Sequence, residues 1–261
     1  MIMTVRELYE ALCAIIPSSL SCEWDRDGLE CCPEPEREVK RIIVALDVTD
    51  KVIDTAICEN ADVIVSHHPI FFGGLSGVNA LTVDGAKAVK LVKANIATMS
   101  FHTRLDALCG GVNDTLAALI GLRGVEVIGN EGIARIGELE RELDVMAFAE
   151  YVKKALSCGE GEKEAHVALC PAGKAVKRVA LVGGSGGSDI KLAYANGADT
   201  YLTGELKHHE RLMAAELGIN LLAAGHFFTE YPVCAFIEKT LKGICPNANI
   251  STVFSNTVIE L

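Results

Sequence analysis

The 261-residue sequence has little of what several functional classes require. Lys and Arg number 24 against 35 Asp and Glu, a formal net charge of −11. Phosphate backbones need clustered basic residues, and neither a basic tract nor an aromatic stacking series occurs, so no nucleic-acid partner is expected. Long apolar runs are missing: helix-like segments such as 86–97 are interrupted by charge, which predicts no membrane span. The opening Met1-Ile2-Met3-Thr4 has neither the basic flank nor the apolar stretch of a secretion signal. The ten cysteines are scattered, with no Cys-x-x-Cys, so neither a zinc ribbon nor a thioredoxin-like pair is indicated. Reduced thiols and a cytoplasmic location are the expectation. Ser66 and Ser100 lack a nucleophile-elbow context, which argues against a serine hydrolase.

What is present is a core-forming composition, 50% hydrophobic, and a strongly patterned distribution of histidine. Six of the seven histidines fall in four places: His67-His68, His102, His208-His209 and His226. Each follows an apolar, β-branched run that reads as a strand, or the loop after it. The run 61–65 delivers Ser66-His67-His68-Pro69, and Pro69 cannot continue a ladder. Strand 96–101 leads to His102-Thr103-Arg104-Leu105-Asp106, strand 198–203 to Gly204-Glu205, and strand 220–224 to Gly225-His226 and Glu230. Between them lie helical patterns over 49–60, 84–94, 189–196 and 210–217. Thr4 and Glu7 form a capping-box signature ahead of the first helix. Residues 18–38 read as loop, 126–139 as a strand-rich connection, 144–156 as a helix, 232–241 as a last helix and 250–260 as closing strands.

The order repeats. Strand 41–46, a helix, Asn60-Ala61-Asp62 and Ser66-His67-His68 parallel strand 178–182, a helix, Gly197-Ala198-Asp199 and Thr203-Gly204-Glu205. Each half then ends on a histidine and a carboxylate four apart, His102 with Asp106 and His226 with Glu230. The expectation is an α/β protein of two related lobes, 1–125 and 126–261, arising by internal duplication. Each lobe is a mostly parallel sheet flanked by helices, with a metal site between them.

Imidazole and carboxylate together suit a divalent transition metal, zinc, manganese, iron or nickel, and carboxylates can bridge two cations. Adjacent side chains on a strand point to opposite faces, so His67 and His68 reach one centre only if the strand has already broken. The Gly-rich stretch 183–187 is either an anion cradle or a tight turn. Trp24 is either a lid or a core anchor. Arg104 either holds an anion or pairs with an acid on the surface.

Taken together, Trp24-Asp25-x-x-Gly28-Leu29, Asp47, Ser66-His67-His68-Pro69, His102-Thr103-x-Leu105-Asp106, Gly183-Gly184-Ser185-Gly186, Thr203-Gly204-Glu205, His208-His209 and Gly225-His226-x-x-x-Glu230 resemble the NIF-three-like dinuclear-metal family. That family is also known as GTP cyclohydrolase I type 2-like, or YbgI-type. The resemblance covers nearly the whole chain. It implies metal ligands at His67, His68, Asp106, His226 and Glu230, with Asp106 and Glu230 bridging two divalent ions. It also implies a ring-shaped homohexamer whose sites face an inner cavity. The short link 122–177 leaves no room for the inserted domain of the longer members. Arg26 and Arg104 depart from the family's usual Asn, which alters substrate shape and charge rather than ligand identity. The implied activity is hydrolysis of a small molecule such as a nucleotide or phosphoester. His208 or Glu205 would move protons and His102 would orient the metal shell. The other reading is a metal-binding scaffold or regulator without turnover.

Overall fold

The computed structural model describes residues 2–157 and 164–258. In chain order its elements begin with α1 (Val5–Ile15), β1 (Gly28–Cys31), β2 (Arg41–Ala45), α2 (Asp50–Cys58), β3 (Val63–Ser66), α3 (Val83–Ala94), β4 (Ala97–Ser100) and α4 (Thr103–Ala107). Then come α5 (Val112–Leu119), β5 (Arg123–Ile128), β6 (Ala134–Leu143), α6 (Val145–Leu156), β7 (Ala168–Cys170), β8 (Val176–Leu181) and α7 (Ile190–Ala195). The last are β9 (Thr200–Thr203), α8 (His208–Leu217), β10 (Asn220–Ala223), α9 (His226–Glu230), α10 (Val233–Ile244) and β11 (Asn249–Thr252). The expected closing strands reduce to β11; residues 259 and 260 of that stretch lie outside the described residues.

Two compact units result. One comprises the chain up to Leu105 and the segment from Val233; the other runs from Asp106 to Pro232. The C-terminal helix and strand thus group with the residues up to Leu105. The reason is strand pairing. β11 lies parallel to β2, Asn249 opposite Arg41 through Thr252 opposite Val44. β5 is hydrogen-bonded to β6 and so belongs with the second sheet.

The first unit's sheet has the order β1-β4-β3-β2-β11. All of its pairings are parallel except the edge pair β1–β4. Parallel strands joined by helices are covered on both faces, and every residue of β3 and β4 is buried. Ile43, Ala45 and Ile64 pack on one face with Val52, Ile53 and Leu91 of the crossover helices. Each fully buried aliphatic contributes roughly 1.5–3 kcal/mol. Thr4 and Glu7 close the capping box that starts α1.

The second unit's sheet has the order β5-β6-β8-β9-β10-β7. Its parallel core β8-β9-β10 carries antiparallel neighbours on both sides. Alternation is clean here. Val179, Leu181, Leu202 and Leu222 enter one core cluster, while Ala180, Val182, Tyr201 and Leu221 enter another.

The two parallel cores are tied down at matching places. Asp62 Oδ2 accepts the amides of Lys40 and Arg41 at the start of β2, at 2.7 and 2.9 Å. Asp199 Oδ2 does the same for Lys177 and Arg178 at β8, at 3.0 and 2.7 Å. Two residues earlier the backbone is left-handed in both, at Asn60 (φ 54°) and Gly197 (φ 77°). Asn and Gly are the residues that tolerate this.

Candidate metal centre

In the first unit β3 ends at Ser66, and the chain bends at once. Ser66 Oγ donates to the carbonyl of His68 at 2.8 Å, and the His68 amide donates to Leu46 at 3.0 Å. The break lets both imidazoles turn the same way, with ring centroids 4.7 Å apart. His102, just past β4, brings a third ring to 5.3 Å from His67 and 5.6 Å from His68. The three sit beyond the C-terminal ends of β3 and β4, where open α/β sheets bind ligands.

The hydrogen bonds fix which nitrogen each ring presents. His67 Nδ1 lies 3.1 Å from the carbonyl of Phe101, His68 Nδ1 2.7 Å from Asp47 Oδ1, and His102 Nδ1 3.1 Å from Asp25 Oδ1. Carbonyl and carboxylate oxygens only accept, so each Nδ1 carries a proton and Nε2 is the nitrogen through which a ring could reach an ion. Metal-binding histidines are held this way. One ligand atom from each of His67, His68 and His102 lies within 4.8 Å of the others, close enough to share an ion.

Asp25 and Asp27 weld the 22–28 loop to the start of α4. Asp25 Oδ2 accepts from Thr103 N at 2.9 Å and Thr103 Oγ1 at 2.6 Å. Burial pushes the Asp25 carboxyl up. The bonds from His102 and Thr103 together outweigh it and hold the group well below the usual carboxylate range. Asp27 takes Arg104 in a fork, Nε to Oδ2 at 2.8 Å and Nη2 to Oδ1 at 3.0 Å. Arg104 is 1% exposed, so it neither holds an incoming anion nor pairs at the surface. It is a buried strut. Trp24 is 64% exposed, which removes the core-anchor reading. Arg26 is exposed.

The second unit gathers a different set. Five residues form α9, so His226 and Glu230 fall one turn apart on the same face, with His226 Nε2 3.0 Å from Glu230 Oε2. Glu205, after β9, lies 3.1 Å from His226 Nδ1. Asp106 and Glu230 each place a carboxylate oxygen within 4.8 Å of the other. Asn113 links their supports: its Nδ2 donates to the Asp106 carbonyl at 3.2 Å and its Oδ1 accepts the Gly183 amide at 2.8 Å. Arg135, 1% exposed, grips Asp114 and the carbonyls of Ala107 and Gly132, which anchors the segment after Asp106. His208 stands exposed in the first turn of α8, three residues beyond Glu205.

The Gly-rich turn has a use other than the anion cradle. The amides of Gly183, Gly184 and Gly186 are already donated to Asn113, Thr229 and Thr203. A Cβ on Gly184 would lie 2.0 Å from Glu230 Oε1 and 3.1 Å from His226 Nε2. The missing side chain is therefore the seat of the Glu230 carboxylate, and that carboxylate would repel a phosphate placed there.

Each unit thus presents donors that fit a divalent cation, three imidazoles in one and two carboxylates with an imidazole in the other. Sequence reasoning quoted Asp25 and Asp47 in the family motifs without giving them a role, and it did not single out Asn113 or Arg135. Asp47 stood at a strand end, a usable signal, whereas the partners of Asp25 lie 77 and 78 residues away.

A family model described as Duf34/NIF3 (NGG1p interacting factor 3) matches residues 3–259. The chain belongs to this family. It is 30% identical over 265 residues to a Clostridium acetobutylicum protein named "GTP cyclohydrolase 1 type 2 homolog", covering 97% of this chain and 94% of that one. It is 31% identical to the Schizosaccharomyces pombe "Protein NIF3 homolog", covering 83% and 81%. Among solved structures, a Bacillus cereus protein related to NIF3 superposes with TM-score 0.89 at 24% identity, over 100% and 99% of the two chains. Reduced HcgD from Methanocaldococcus jannaschii gives 0.83 at 28%, over 97% and 98%. No helix among the described residues is long and apolar enough to cross a membrane.

Proposed function

We propose that this NIF3-family protein is a metal-dependent hydrolase of a nucleotide or phosphoester. In this reading His67, His68, Asp106, His226 and Glu230 would hold two divalent ions, with Asp106 and Glu230 shared between them. The observation that carries the reading is the common arrangement of the imidazoles. His67, His68 and His102 each set Nδ1 against an oxygen acceptor, so Nε2 is the nitrogen that each would turn to an ion. Imidazoles tied only to stabilise a core have no reason to share this polarity. Zinc, manganese, iron and nickel all suit such donors.

When bound, a pair of cations supplies activated water and stabilises negative charge on the departing atom. The chain's own residues do the rest. Asp47 and Asp25 keep the rings of His68 and His102 oriented. Glu205 holds His226 by Nδ1, the same device in the second unit. His208 lies within a few residues of Glu205, and in this reading it carries a proton to or from the substrate. The name of the Clostridium relative supports a guanine nucleotide as the first substrate to try; hydrolysis would then open the imidazole portion of the base. A ring-shaped hexamer belongs to the same proposal.

The test is turnover by metal-replete protein against GTP and a panel of nucleotides and phosphoesters. The proposal expects turnover that is lost in His208→Ala while metal content stays. Absence of turnover across the panel in replete wild type would replace it with a metal-binding scaffold.

A further inference from the structure

Two large aromatic side chains beside the imidazole set have no structural use. Trp24 is 64% exposed and Phe72 is 61% exposed. The Trp24 ring centroid lies 6.0 Å from His102 at an interplanar angle of 76°. Phe72 lies 5.2 Å from His102 at 77°, and 5.9 Å from His68. Both therefore meet His102 edge to face instead of stacking on it, and this geometry leaves aromatic face beside the imidazole.

Neither ring is on a loose segment. Trp24 precedes Asp25, whose carboxylate binds His102 and Thr103, and the Cys22 amide donates to Thr103 Oγ1 at 2.9 Å. The loop is thus pinned on both sides of the indole. Phe72 sits in a turn closed by the Gly74 amide on Phe71, and Phe71 donates to Glu30 of β1. Holding two aromatic rings in water on fixed backbone wastes burial unless something covers them. Their contact with His102 and His68 says what kind of thing: an occupant that also reaches the ring nitrogens. Flat heteroaromatic rings stack on aromatic side chains whatever their substituents.

We propose that Trp24 and Phe72 form a stacking subsite for the heteroaromatic ring of the substrate, a purine or a ring of similar size, set directly beside His68 and His102. The subsite rests on the hydrolase reading for its purpose, but it is a binding claim and can be tested as one.

Trp24 is the sole tryptophan of the chain, so tryptophan emission reports on it alone. Metal-loaded protein would be titrated with guanosine, GTP and inorganic tripolyphosphate. The expected result is saturable quenching by guanosine and GTP and none by tripolyphosphate. By calorimetry, Phe72→Ala should weaken guanosine binding about tenfold, and Phe72→Tyr should keep it, with metal content unchanged in both. Three results would overturn the subsite. One is no saturable quenching by guanosine. Another is an unchanged guanosine affinity in Phe72→Ala. The third is a fall in oligomer mass in Phe72→Ala with affinity intact, which would make the patch an interface between copies. Guanosine binding without any turnover would leave the subsite standing and remove only the hydrolase.

Discussion

The two units place their chemistry at the same ends of similar parallel cores, yet they present opposite kinds of donor. The first offers three imidazoles after β3 and β4; the second offers the carboxylates of Asp106 and Glu230 and the imidazole of His226. The supports differ accordingly. Imidazoles are aimed by acceptors at their far nitrogen, Asp47, Asp25 and the Phe101 carbonyl. The Glu230 carboxylate is seated by a vacancy, the absent side chain of Gly184. The contrast teaches that one strand–helix–strand frame can be furnished with charge or without it. What changes is the residues just past the strands, while the anchoring devices stay, as Asp62 and Asp199 show.

The contrast breaks most readily in the first unit's buried polar frame. Asp27→Ala leaves the Arg104 guanidinium buried without its carboxylate. Removing one partner of such a pair costs about 3–5 kcal/mol. Denaturant unfolding should show this loss, and Asp27→Asn should show a smaller one; unchanged midpoints would mean that Arg104 finds water.

Glu30 gives the next largest effect. Burial pushes its carboxyl up from 4.5 to about 7, and Oε2 is buried with no partner among the described residues. The folded protein then keeps a proton between about pH 4.5 and 7 that the unfolded chain releases. Stability from this group therefore falls as pH rises through that window. Glu30→Gln stays neutral and should be more stable than wild type by about 3 kcal/mol at pH 8, with the difference vanishing below pH 4. Parallel melts across that range would decide it.

Two substitutions sharpen the comparison at the donors themselves. Gly184→Ala forces Cβ onto Glu230 Oε1 and strains a backbone at φ +62°. It should lower metal affinity about 100-fold, whereas Gly173→Ala, strained at φ +73° but with nothing near its Cβ, should not. Asp47→Asn weakens the hold on His68 and should lower affinity about tenfold with little change in Tm. The Asp47 side chain is 40% exposed, which favours the low end of the usual range. Competition against a chelator reads both.

Much of this was legible in the sequence. β2, β3 and β4 announce themselves as continuous apolar runs, and the break after Ser66 is written in Pro69. The histidine pair, Asp106, His226 and Glu230 could be singled out by type and spacing. The misses have physical causes. β1 is a short antiparallel edge containing Glu30 and a bulge, so it shows no alternation. α4 and α9 have five residues each, too few for an amphipathic period. β11 joins β2 across more than two hundred residues, a pairing that no local pattern encodes. The roles of Arg104 and the Gly-rich turn depended on partners, Asp27 and Glu230, whose approach only the folded chain defines.

The proposed function requires that the imidazole set and the carboxylate set serve the same ions. Elemental analysis of purified chains, wild type beside His68→Ala and Glu230→Ala, tests it most directly. The account predicts two divalent ions per wild-type chain and a loss of metal in each variant, whichever unit carries the change. Full metal content in either variant would contradict it.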